Sequence, residues 1–227
     1  ICDKLKREHS LDYDPNQIVV SCGAKHSIFN VMMAVLNPGD EVIIPQPYWV
    51  SYPDQVAMAG GVSVFIETND TNDFKITPEQ LKNAITPATK LLILNSPSNP
   101  TGMVYSKDEL KALSDIIVEH NILVISDEIY EKLIYDGEHT SIASLSPEIK
   151  DLTILINGAS KAYSMTGWRI GYTAAPANIA KVMSRIQSHS TSNPTTPSQF
   201  ASLAAFENDD SVVNTMRDAF QERRNIM

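Results

Sequence analysis

Residues 157–169 read Asn-Gly-Ala-Ser-Lys-Ala-Tyr-Ser-Met-Thr-Gly-Trp-Arg, and they indicate more about the fold than any other stretch. The apolar run Leu152–Ile156 before them is typical of a buried strand, and the small residues behind it predict a turn at the strand's end. Lys161 stands in this turn beside Ser160, and Arg169 follows further along the chain. Lysine forms a Schiff base only as the free amine, which desolvation or nearby positive charge favours. Lys161 is therefore a candidate nucleophile, and an ordinary surface lysine is the alternative.

Outward from this turn, short apolar runs recur, separated by turn residues and by helical patterns. Seven runs are interpreted as strands, namely Gln17–Ser21, Glu41–Pro45, Gly61–Ile66, Lys90–Asn95, Ile122–Asp127, Leu152–Gly158 and Gly171–Ala174. Most are rich in Val, Ile or Leu without clean alternation, as expected of strands covered on both faces. Capping boxes that begin at Thr77 and Ser106 predict two of the helices between them. The alternation predicts an α/β fold, with three α/β/α layers around a mostly parallel sheet of about seven strands.

Size, composition and charge exclude several classes of function. The chain has 227 residues, 43% of them hydrophobic and 20% charged, as in ordinary soluble globular proteins. Its net charge of -9 argues against a nucleic-acid or anionic-membrane partner, because both require a basic face. Cys2 and Cys22 form no disulfide framework, so a reducing, cytoplasmic compartment is expected. No apolar run approaches membrane-spanning length, and the histidines show no metal-binding spacing with the cysteines, so no metal site is predicted.

Both ends of the chain read as parts of longer helices. Residues 1–9 resemble the last turns of an amphipathic helix, and the helical pattern over 212–227 contains no stop signal. Residues 188–198 are rich in Ser, Thr, Asn and Pro and predict a linker. We therefore expect a piece of a longer polypeptide, with one domain over 1–190 and a helical continuation over 191–227.

Polar residues follow four of the predicted strands at the point where each strand ends. These clusters are Ser21–Lys25, Asn95–Gly102, Ser126–Tyr130 and Asn157–Arg169. Ligands of open parallel sheets bind beyond the carboxyl ends of the strands. The four clusters are therefore predicted to converge on one rim.

The segment Gly23-Ala24-Lys25 opens a predicted helix over Ala24–Leu36. Small residues at a helix start leave N–H groups open to an anion such as phosphate, and a plain helix start is the alternative. The sequence has neither the GxGxxG dinucleotide fingerprint nor a Walker A loop. A cradle here would suit a single phosphate monoester better than a pyrophosphate.

Asp127 ends a very apolar strand, where a carboxylate is costly unless it is paired. One interpretation is a helix N-cap, and the other is a carboxylate that holds a heteroaromatic nitrogen protonated. Tyr130 is predicted to lie near Asp127 on a first helical turn. Its alternative role is simple packing with an outward hydroxyl.

Three further side chains each have a structural and a functional interpretation. Asn99 belongs to a turn-forming Asn-Pro-Thr-Gly sequence, but it could also donate to a phenolate or a carboxylate. Trp49 could be a core aromatic or could stack on a flat ring, while Arg169 could form a surface ion pair or clamp a phosphate. A lysine, an acid, a phenol, an amide, a flat aromatic and an anion cradle together fit one cofactor, pyridoxal 5'-phosphate.

Six motifs, taken in order, resemble the class I/II aminotransferases of the aspartate aminotransferase family, which are fold type I pyridoxal-phosphate enzymes. The motifs are Ser21–Lys25, Asn37–Val42, Pro47–Trp49, Asn95–Gly102, Ser126–Tyr130 and Ser160–Tyr172. The resemblance spans nearly all of the chain. It implies the large, cofactor-binding domain of that fold type.

The resemblance also implies a role for each candidate residue. Lys161 would form the Schiff base and move the proton between substrate Cα and cofactor C4′. Asp127 would keep the pyridine nitrogen protonated, and Tyr130 and Asn99 would hydrogen-bond the phenolic oxygen of the ring. Asn99 would also approach the substrate carboxylate, and Trp49 would stack on the ring. The phosphate would be held by Ser160, Arg169 and the backbone amides of Gly23, Ala24 and Lys25.

The implied activity is the transfer of an amino group between an amino acid and a 2-oxo acid such as 2-oxoglutarate, by a homodimer. Alternatives are another fold type I reaction, such as β-elimination or cyclopropane-carboxylate synthesis, and a non-catalytic regulatory module that binds the cofactor. The family's arginine for the substrate α-carboxylate would lie beyond Met227, and its N-terminal arm and partner-subunit tyrosine would precede Ile1. We therefore expect this chain alone to be inactive. The resemblance implies that some family members bind a distal substrate carboxylate with a lysine on the helix after the cradle. Residues 28–36 of this chain contain no Lys or Arg, which weakens the expectation of an acidic substrate.

Overall fold

The computed structural model describes all of residues 1–227 and is organised around one seven-stranded sheet. The strands are β1 (Ile18–Ser21), β2 (Glu41–Gln46), β3 (Val62–Glu67), β4 (Thr89–Asn95), β5 (Leu123–Asp127), β6 (Thr153–Gly158) and β7 (Gly171–Ala174). Their order across the sheet is β1-β7-β6-β5-β4-β2-β3. All neighbours are parallel except β7, which is antiparallel to both β1 and β6. The predicted α/β fold and the predicted number of strands are confirmed. The bounds of every predicted strand agree with the observed bounds to within one residue.

Nine α-helices connect and cover the strands. They are α1 (Cys2–His9), α2 (Ala24–Val35), α3 (Ser51–Met58), α4 (Pro78–Ala84), α5 (Lys107–His120), α6 (Pro147–Leu152), α7 (Ala177–Ser188), α8 (Thr196–Glu207) and α9 (Ser211–Ile226). Both predicted capping boxes are present: Thr77 is the N-cap of α4 and Ser106 is the N-cap of α5, and each side chain accepts from the backbone N–H three residues on. None of these helices combines the length and apolarity that a bilayer-spanning helix needs.

The sheet is covered on both faces, which explains why its central strands lack polar alternation. In β4, Leu91 and Ile93 point into a cluster with α2, α3 and α7, while Leu92 and Leu94 point into a cluster with α4, α5 and α6. A third cluster packs α1 and α8 against β6 and β7. Burial on both faces makes successive positions in the middle of these strands apolar, and this confirms the predicted three-layer arrangement.

The carboxyl ends of β1, β4, β5 and β6 lie at one edge of the sheet. Because β7 is antiparallel to both β1 and β6, those two strands run in the same direction, and β7 begins where they end. The start of β7 lies directly against the start of α2: a Cβ on Gly171 would be 2.2 Å from the backbone nitrogen of Ala24. Only glycine allows this approach. The four polar clusters are therefore brought to one rim.

Candidate active site

A cavity of about 290 Å³ opens at this rim. Its walls come from the ends of β4 and β5, from the segments that follow β4, β5 and β6, and from the first turns of α2 and α3. The lining residues are Ala24, Lys25, Ile28, Trp49, Tyr52, Asn95, Asn99, Asp127, Ile129, Tyr130, Ser160, Lys161, Thr166 and Arg169. Nine of the ten predicted site residues are among them, and the tenth, Gly23, lies behind Arg169. The volume is near the lower end of the roughly 300–1,000 Å³ typical of small-molecule sites.

Asp127 is a buried carboxylate at the floor of this cavity. Its Oδ2 accepts a 2.7 Å hydrogen bond from the Tyr52 hydroxyl, and its Oδ1 accepts the N–H of Ile129 at 3.3 Å. Burial raises the pKa of Asp127 to about 6, although both hydrogen bonds oppose the rise by stabilising the charged form. No helix follows Asp127, so the predicted N-cap alternative is wrong: residues 129–132 form a turn. A cation above the carboxylate would offset the cost of its burial.

Tyr52 is the principal residue that sequence reasoning missed. Tyr52 lies in α3 and is fully buried, and its hydroxyl donates a hydrogen bond to the Asp127 carboxylate. The signal was its position three residues after Trp49: the Trp49 carbonyl accepts the N–H of Tyr52 at 3.1 Å in the turn that leads into α3. The two rings pack edge to face with centroids 5.4 Å apart.

Tyr130 and Lys161 face each other across the cavity. The Lys161 ammonium nitrogen lies 5.5 Å from the centroid of the Tyr130 ring. Tyr130 lies in the turn after β5 and not on a helix, so its predicted setting on a first helical turn is wrong while its predicted proximity to Asp127 is confirmed. The phenol and the amine therefore border the same space above Asp127.

Asn95 holds the Asn99 loop against the end of β5. Its side-chain amide donates to the carbonyl of Asp127 at 2.9 Å, and its Oδ1 accepts the backbone N–H of Asn99 at 2.7 Å. Asn95 was not among the predicted site residues, although it begins the polar cluster after β4. It fixes where the Asn99 side chain enters the cavity.

The start of α2 and Arg169 form a cationic cradle beside the cavity. Gly23 has φ +88°, and a Cβ there would lie 2.3 Å from Nη2 of Arg169, so the guanidinium rests against bare backbone. Arg169 donates to the carbonyls of Thr166 at 2.8 Å and Cys22 at 3.4 Å. Both partners are neutral. The free N–H groups of a helix start and an unneutralised guanidinium together suit a dianionic phosphate.

Trp49 and Lys25 form the remaining polar wall. The Lys25 ammonium nitrogen lies over the Trp49 ring, 4.9 Å from its centroid, and it takes part in no ion pair. Trp49 is half-buried and also packs against Tyr52. The cavity is thus lined by three cations, Lys25, Lys161 and Arg169, and by one carboxylate, Asp127.

The family model for aminotransferase class I and II matches residues 1–227 of the chain. The chain belongs to this family. An aspartate aminotransferase of Geobacillus stearothermophilus is 56% identical over 228 residues, which cover 100% of the chain and 58% of that relative. The chain therefore spans well under two thirds of the length of this curated class I and II aminotransferase.

Solved structures of aminotransferases share the fold. The aspartate aminotransferase of Rhizobium meliloti superposes with a TM-score of 0.97 at 43% identity, covering 99% of the chain and 57% of that structure. The aspartate aminotransferase of Thermus thermophilus with maleate gives a TM-score of 0.95 at 45% identity, covering 99% and 59%. The resemblance read from the six motifs is confirmed.

Aspartate aminotransferase family enzymes use pyridoxal 5'-phosphate, and the cavity of this chain fits that cofactor. The Arg169 guanidinium can lie beside the start of α2 only because residue 23 lacks a side chain. The buried Asp127 carboxylate offers a partner to a pyridinium nitrogen, and the Lys161 amine offers a partner to an aldehyde. A lysine amine, a buried acid and a phosphate cradle around one cavity match the three polar ends of the cofactor.

Proposed function

We propose that the protein carrying this chain is a pyridoxal-phosphate-dependent aminotransferase that moves an amino group between an amino acid and a 2-oxo acid. One observation carries the proposal: Lys161 and the buried Asp127 open onto the same cavity, with the Tyr130 ring beside the lysine amine. This set supplies the amine, the ring-nitrogen partner and the phenol that such chemistry needs. Each side chain alone would have an ordinary structural explanation.

The cofactor would be held by the residues that line the cavity. Arg169, Ser160 and the backbone amides at the start of α2 would bind its phosphate, Asp127 its ring nitrogen, and Tyr130 with Asn99 its phenolic oxygen. When bound, pyridoxal phosphate supplies an aldehyde that condenses with amines and a protonated ring that withdraws electrons from the substrate Cα. Trp49 would cover the ring and exclude water from one side.

The chain's own residues would then act on protons. Lys161 would act as the base that takes the proton from substrate Cα and returns it at C4′ of the bound cofactor. Asp127 must be ionised to hold the ring nitrogen protonated, and its bond from Tyr52 favours the ionised form. Tyr130 sets the position of the Lys161 amine by bordering it. The proposed mechanism therefore requires one base, Lys161, and one buried acid, Asp127.

We propose aspartate, or another acidic amino acid, as the amino donor. Lys25 supports this proposal because its ammonium borders the cavity and lacks a carboxylate partner. A substrate side-chain carboxylate would supply that partner. The similar Thermus enzyme with maleate, and the aspartate aminotransferase names of the relatives, point to dicarboxylates as well. Lys25 lies in the first turn of α2, before residues 28–36, which contain no Lys or Arg.

We propose that residues 1–190 form the cofactor domain and that 191–227 form a helical continuation. All cavity-lining residues lie between Ala24 and Arg169, while α8 and α9 contribute none. A homodimer in the cytoplasm is the expectation that family membership supports. Sedimentation of the full-length protein would test the dimer.

Covalent trapping tests the proposed function. The full-length protein would be loaded with pyridoxal phosphate and reduced with borohydride, and the modified peptide would be identified by mass spectrometry. We expect the label on Lys161 and its loss in Lys161→Ala, with the exposed Lys181→Ala variant still labelled at Lys161. Retention of full turnover by Lys161→Ala would refute the proposal.

Product analysis separates the alternatives. Aspartate with 2-oxoglutarate should yield glutamate and oxaloacetate in equal amounts. Release of ammonia or of a cyclopropane product would instead indicate a lyase or a synthase, and cofactor binding without turnover would indicate a regulatory module.

A further inference from the structure

The turn after β5 has two sides with different surroundings. Asp127 and Tyr130 line the cavity, whereas Glu128 and Glu131 contact a buried cluster of charged residues behind it. Glu128 is 1% exposed and Glu131 is 6% exposed. Buried carboxylates are rare unless they are paired, so both require partners on that side.

Glu131 finds its partners on α1. Its Oε1 lies 2.5 Å from the ammonium nitrogen of Lys4, and its Oε2 lies 2.7 Å from Nε2 of His9. Burial alone would raise the pKa of Glu131, but the charges of Lys4 and His9 outweigh burial and hold that pKa well below its usual range. Lys4 is itself buried and also contacts Glu8 at 2.9 Å. Glu131 is therefore a fixed anion that ties α1 to the turn.

Glu128 fixes the same turn from the other end. Its carboxylate accepts from Ser126 and Ser141, each at 2.7 Å, and lies 2.9 Å from Nε2 of His139. The backbone N–H of Glu131 donates to the carbonyl of Glu128 at 2.9 Å. Tyr130 thus lies between two anchored glutamates.

A bound metal ion is the other arrangement that this cluster suggests. Ligand atoms of His9, Glu131 and His139 lie within 4.8 Å of one another. Yet both oxygens of Glu131 are already engaged, one by the Lys4 ammonium and one by His9, and Nε2 of His139 is directed to Glu128. The lysine supplies the cation that the carboxylate requires, so the contacts favour an ion-pair network.

A buried ion pair contributes little net stability, because desolvation cancels most of the attraction. What such a pair does supply is a defined orientation for the groups that carry it. Glu131 immediately follows Tyr130, and the N–H of Leu133, two residues after Glu131, donates to the Tyr130 carbonyl at 2.8 Å. A turn pinned at Glu131 leaves the Tyr130 ring little freedom beside the Lys161 amine.

We propose that Glu131 is a positioning residue: its contacts with Lys4 and His9 hold Tyr130 in place beside Lys161. The inference rests on the proposed function, because the Tyr130 phenol matters only if a cofactor lies in the cavity. It assigns α1, which touches no part of the cavity, a role in the chemistry. Glu131 acts through Tyr130 alone.

The test uses Glu131→Gln, Tyr130→Phe and the double variant in the full-length protein loaded with pyridoxal phosphate. We expect Glu131→Gln to lower kcat on the order of 10²-fold, as for a small displacement of a catalytic group, with little change in KM. The pH at which the bound cofactor's absorbance titrates should rise, because loss of a phenol donor destabilises the deprotonated form. Cofactor affinity, from quenching of tryptophan fluorescence, should fall in parallel.

Two comparisons make the test decisive. If Glu131 acts through Tyr130, the double variant is no worse than Tyr130→Phe alone, and additive losses would refute the inference. Lys132→Gln is the matched control, because Lys132 contacts Glu8 and Asp210 in the same cluster but not Glu131, and it should leave the absorbance titration unchanged. If Glu131→Gln fails to fold, Lys4→Gln, which removes the cation and keeps Glu131, should give the same shift.

Other outcomes are equally clear. If Glu131→Gln shows wild-type absorbance and kinetics, the inference about Glu131 is wrong while the proposed function stands. The same conclusion follows if the protein holds a stoichiometric zinc ion whose removal reproduces the variant's spectrum. Failure of the unsubstituted protein to bind pyridoxal phosphate would overturn the proposed function, and the inference with it.

Discussion

The Tyr52 hydroxyl donates a 2.7 Å hydrogen bond to Oδ2 of Asp127, and both side chains are buried. The bond links α3 to the end of β5 beneath the cavity. A buried phenol that donates to a buried carboxylate stabilises the carboxylate's charged form. Tyr52 therefore works against the burial that raises the pKa of Asp127 to about 6.

Removing the Tyr52 hydroxyl should weaken catalysis by leaving Asp127 harder to ionise. A hydrogen bond to a charged group contributes about 1.5–3 kcal/mol, so Tyr52→Phe should lower kcat/KM on the order of 10- to 100-fold. The acid limb of the pH–rate profile should move to higher pH, because the pKa of Asp127 rises further. Tyr48→Phe is the control, since Tyr48 stacks on Phe65 away from Asp127. An unmoved acid limb would contradict the assigned role.

The same carboxylate should destabilise the cofactor-free protein. An acid whose pKa is raised from 3.8 to about 6 binds its proton more tightly when folded, so stability falls as the pH rises between these values. At about 1.36 kcal/mol per pKa unit, the penalty above pH 6 is about 3 kcal/mol. Asp127→Asn should therefore unfold at higher urea concentration than the unsubstituted protein near neutral pH, while it loses cofactor affinity. Equal urea midpoints at neutral pH would rule this out.

The strands and the site residues at the strand ends could be predicted from the sequence, whereas the contacts that complete the site could not. Both outcomes have a physical reason. The strands were predictable because burial on both faces favours a continuous apolar run, as over residues 91–94 of β4. The start of α5 was predictable because the capping box at Ser106 specifies where the helix begins. Lys161 and Asp127 were predictable because a parallel sheet gathers its strand ends at one edge. These signals are local in sequence or follow from topology.

The contacts that complete the site depend on distant packing and carry no local signal. Tyr52 lies 75 positions from Asp127, and Lys4 lies 127 positions from Glu131. Tyr130 follows Asp127 by three residues, a spacing that predicts a first helical turn, whereas the anchored Glu128 and Glu131 hold this segment in another conformation. Tertiary contacts override local preference there.

Lys25 should decide the preference for acidic donors. Lys25→Gln removes the unpaired ammonium but keeps the backbone amide of the cradle. A charge-assisted contact of about 1.5–3 kcal/mol predicts a loss on the order of 10- to 100-fold in kcat/KM for aspartate. Uncharged amino acids should be affected little, and the exposed Lys82→Gln variant should retain the preference. Equal losses for charged and uncharged donors would show that Lys25 does not recognise the distal carboxylate.

Gly23 should be required for phosphate binding for two reasons. A side chain there would clash with the Arg169 guanidinium, and the backbone at this position has a positive φ. Gly23→Ala would place a methyl group 2.3 Å from Nη2 of Arg169 at φ +88°, displacing the guanidinium from the cradle. Gly39→Ala is a matched control, because Gly39 has φ +89° but nothing within 4 Å of its would-be Cβ. Both variants should lose about 1–2 kcal/mol of stability from the left-handed backbone. Only Gly23→Ala should weaken cofactor affinity, measured by equilibrium dialysis, and a similar loss in Gly39→Ala would point to strain alone.

The His139–Glu128 pair should make the stability of the β5 turn depend on pH. Burial lowers the pKa of His139, but the Glu128 carboxylate 2.9 Å away outweighs burial and the net pKa is raised, with Glu131 adding to the rise and Lys4 opposing it. A raised pKa means that the pair's contribution is fully present below about pH 6.5 and is lost as the pH rises through the folded-state value. His139→Gln should therefore cost about 1.5–3 kcal/mol in acid and progressively less in alkali. Urea unfolding of both proteins across this range measures the difference, with the exposed His189→Gln as control. A cost that stays constant with pH would mean that His139 is neutral in the folded protein and that its contact with Glu128 is an uncharged hydrogen bond.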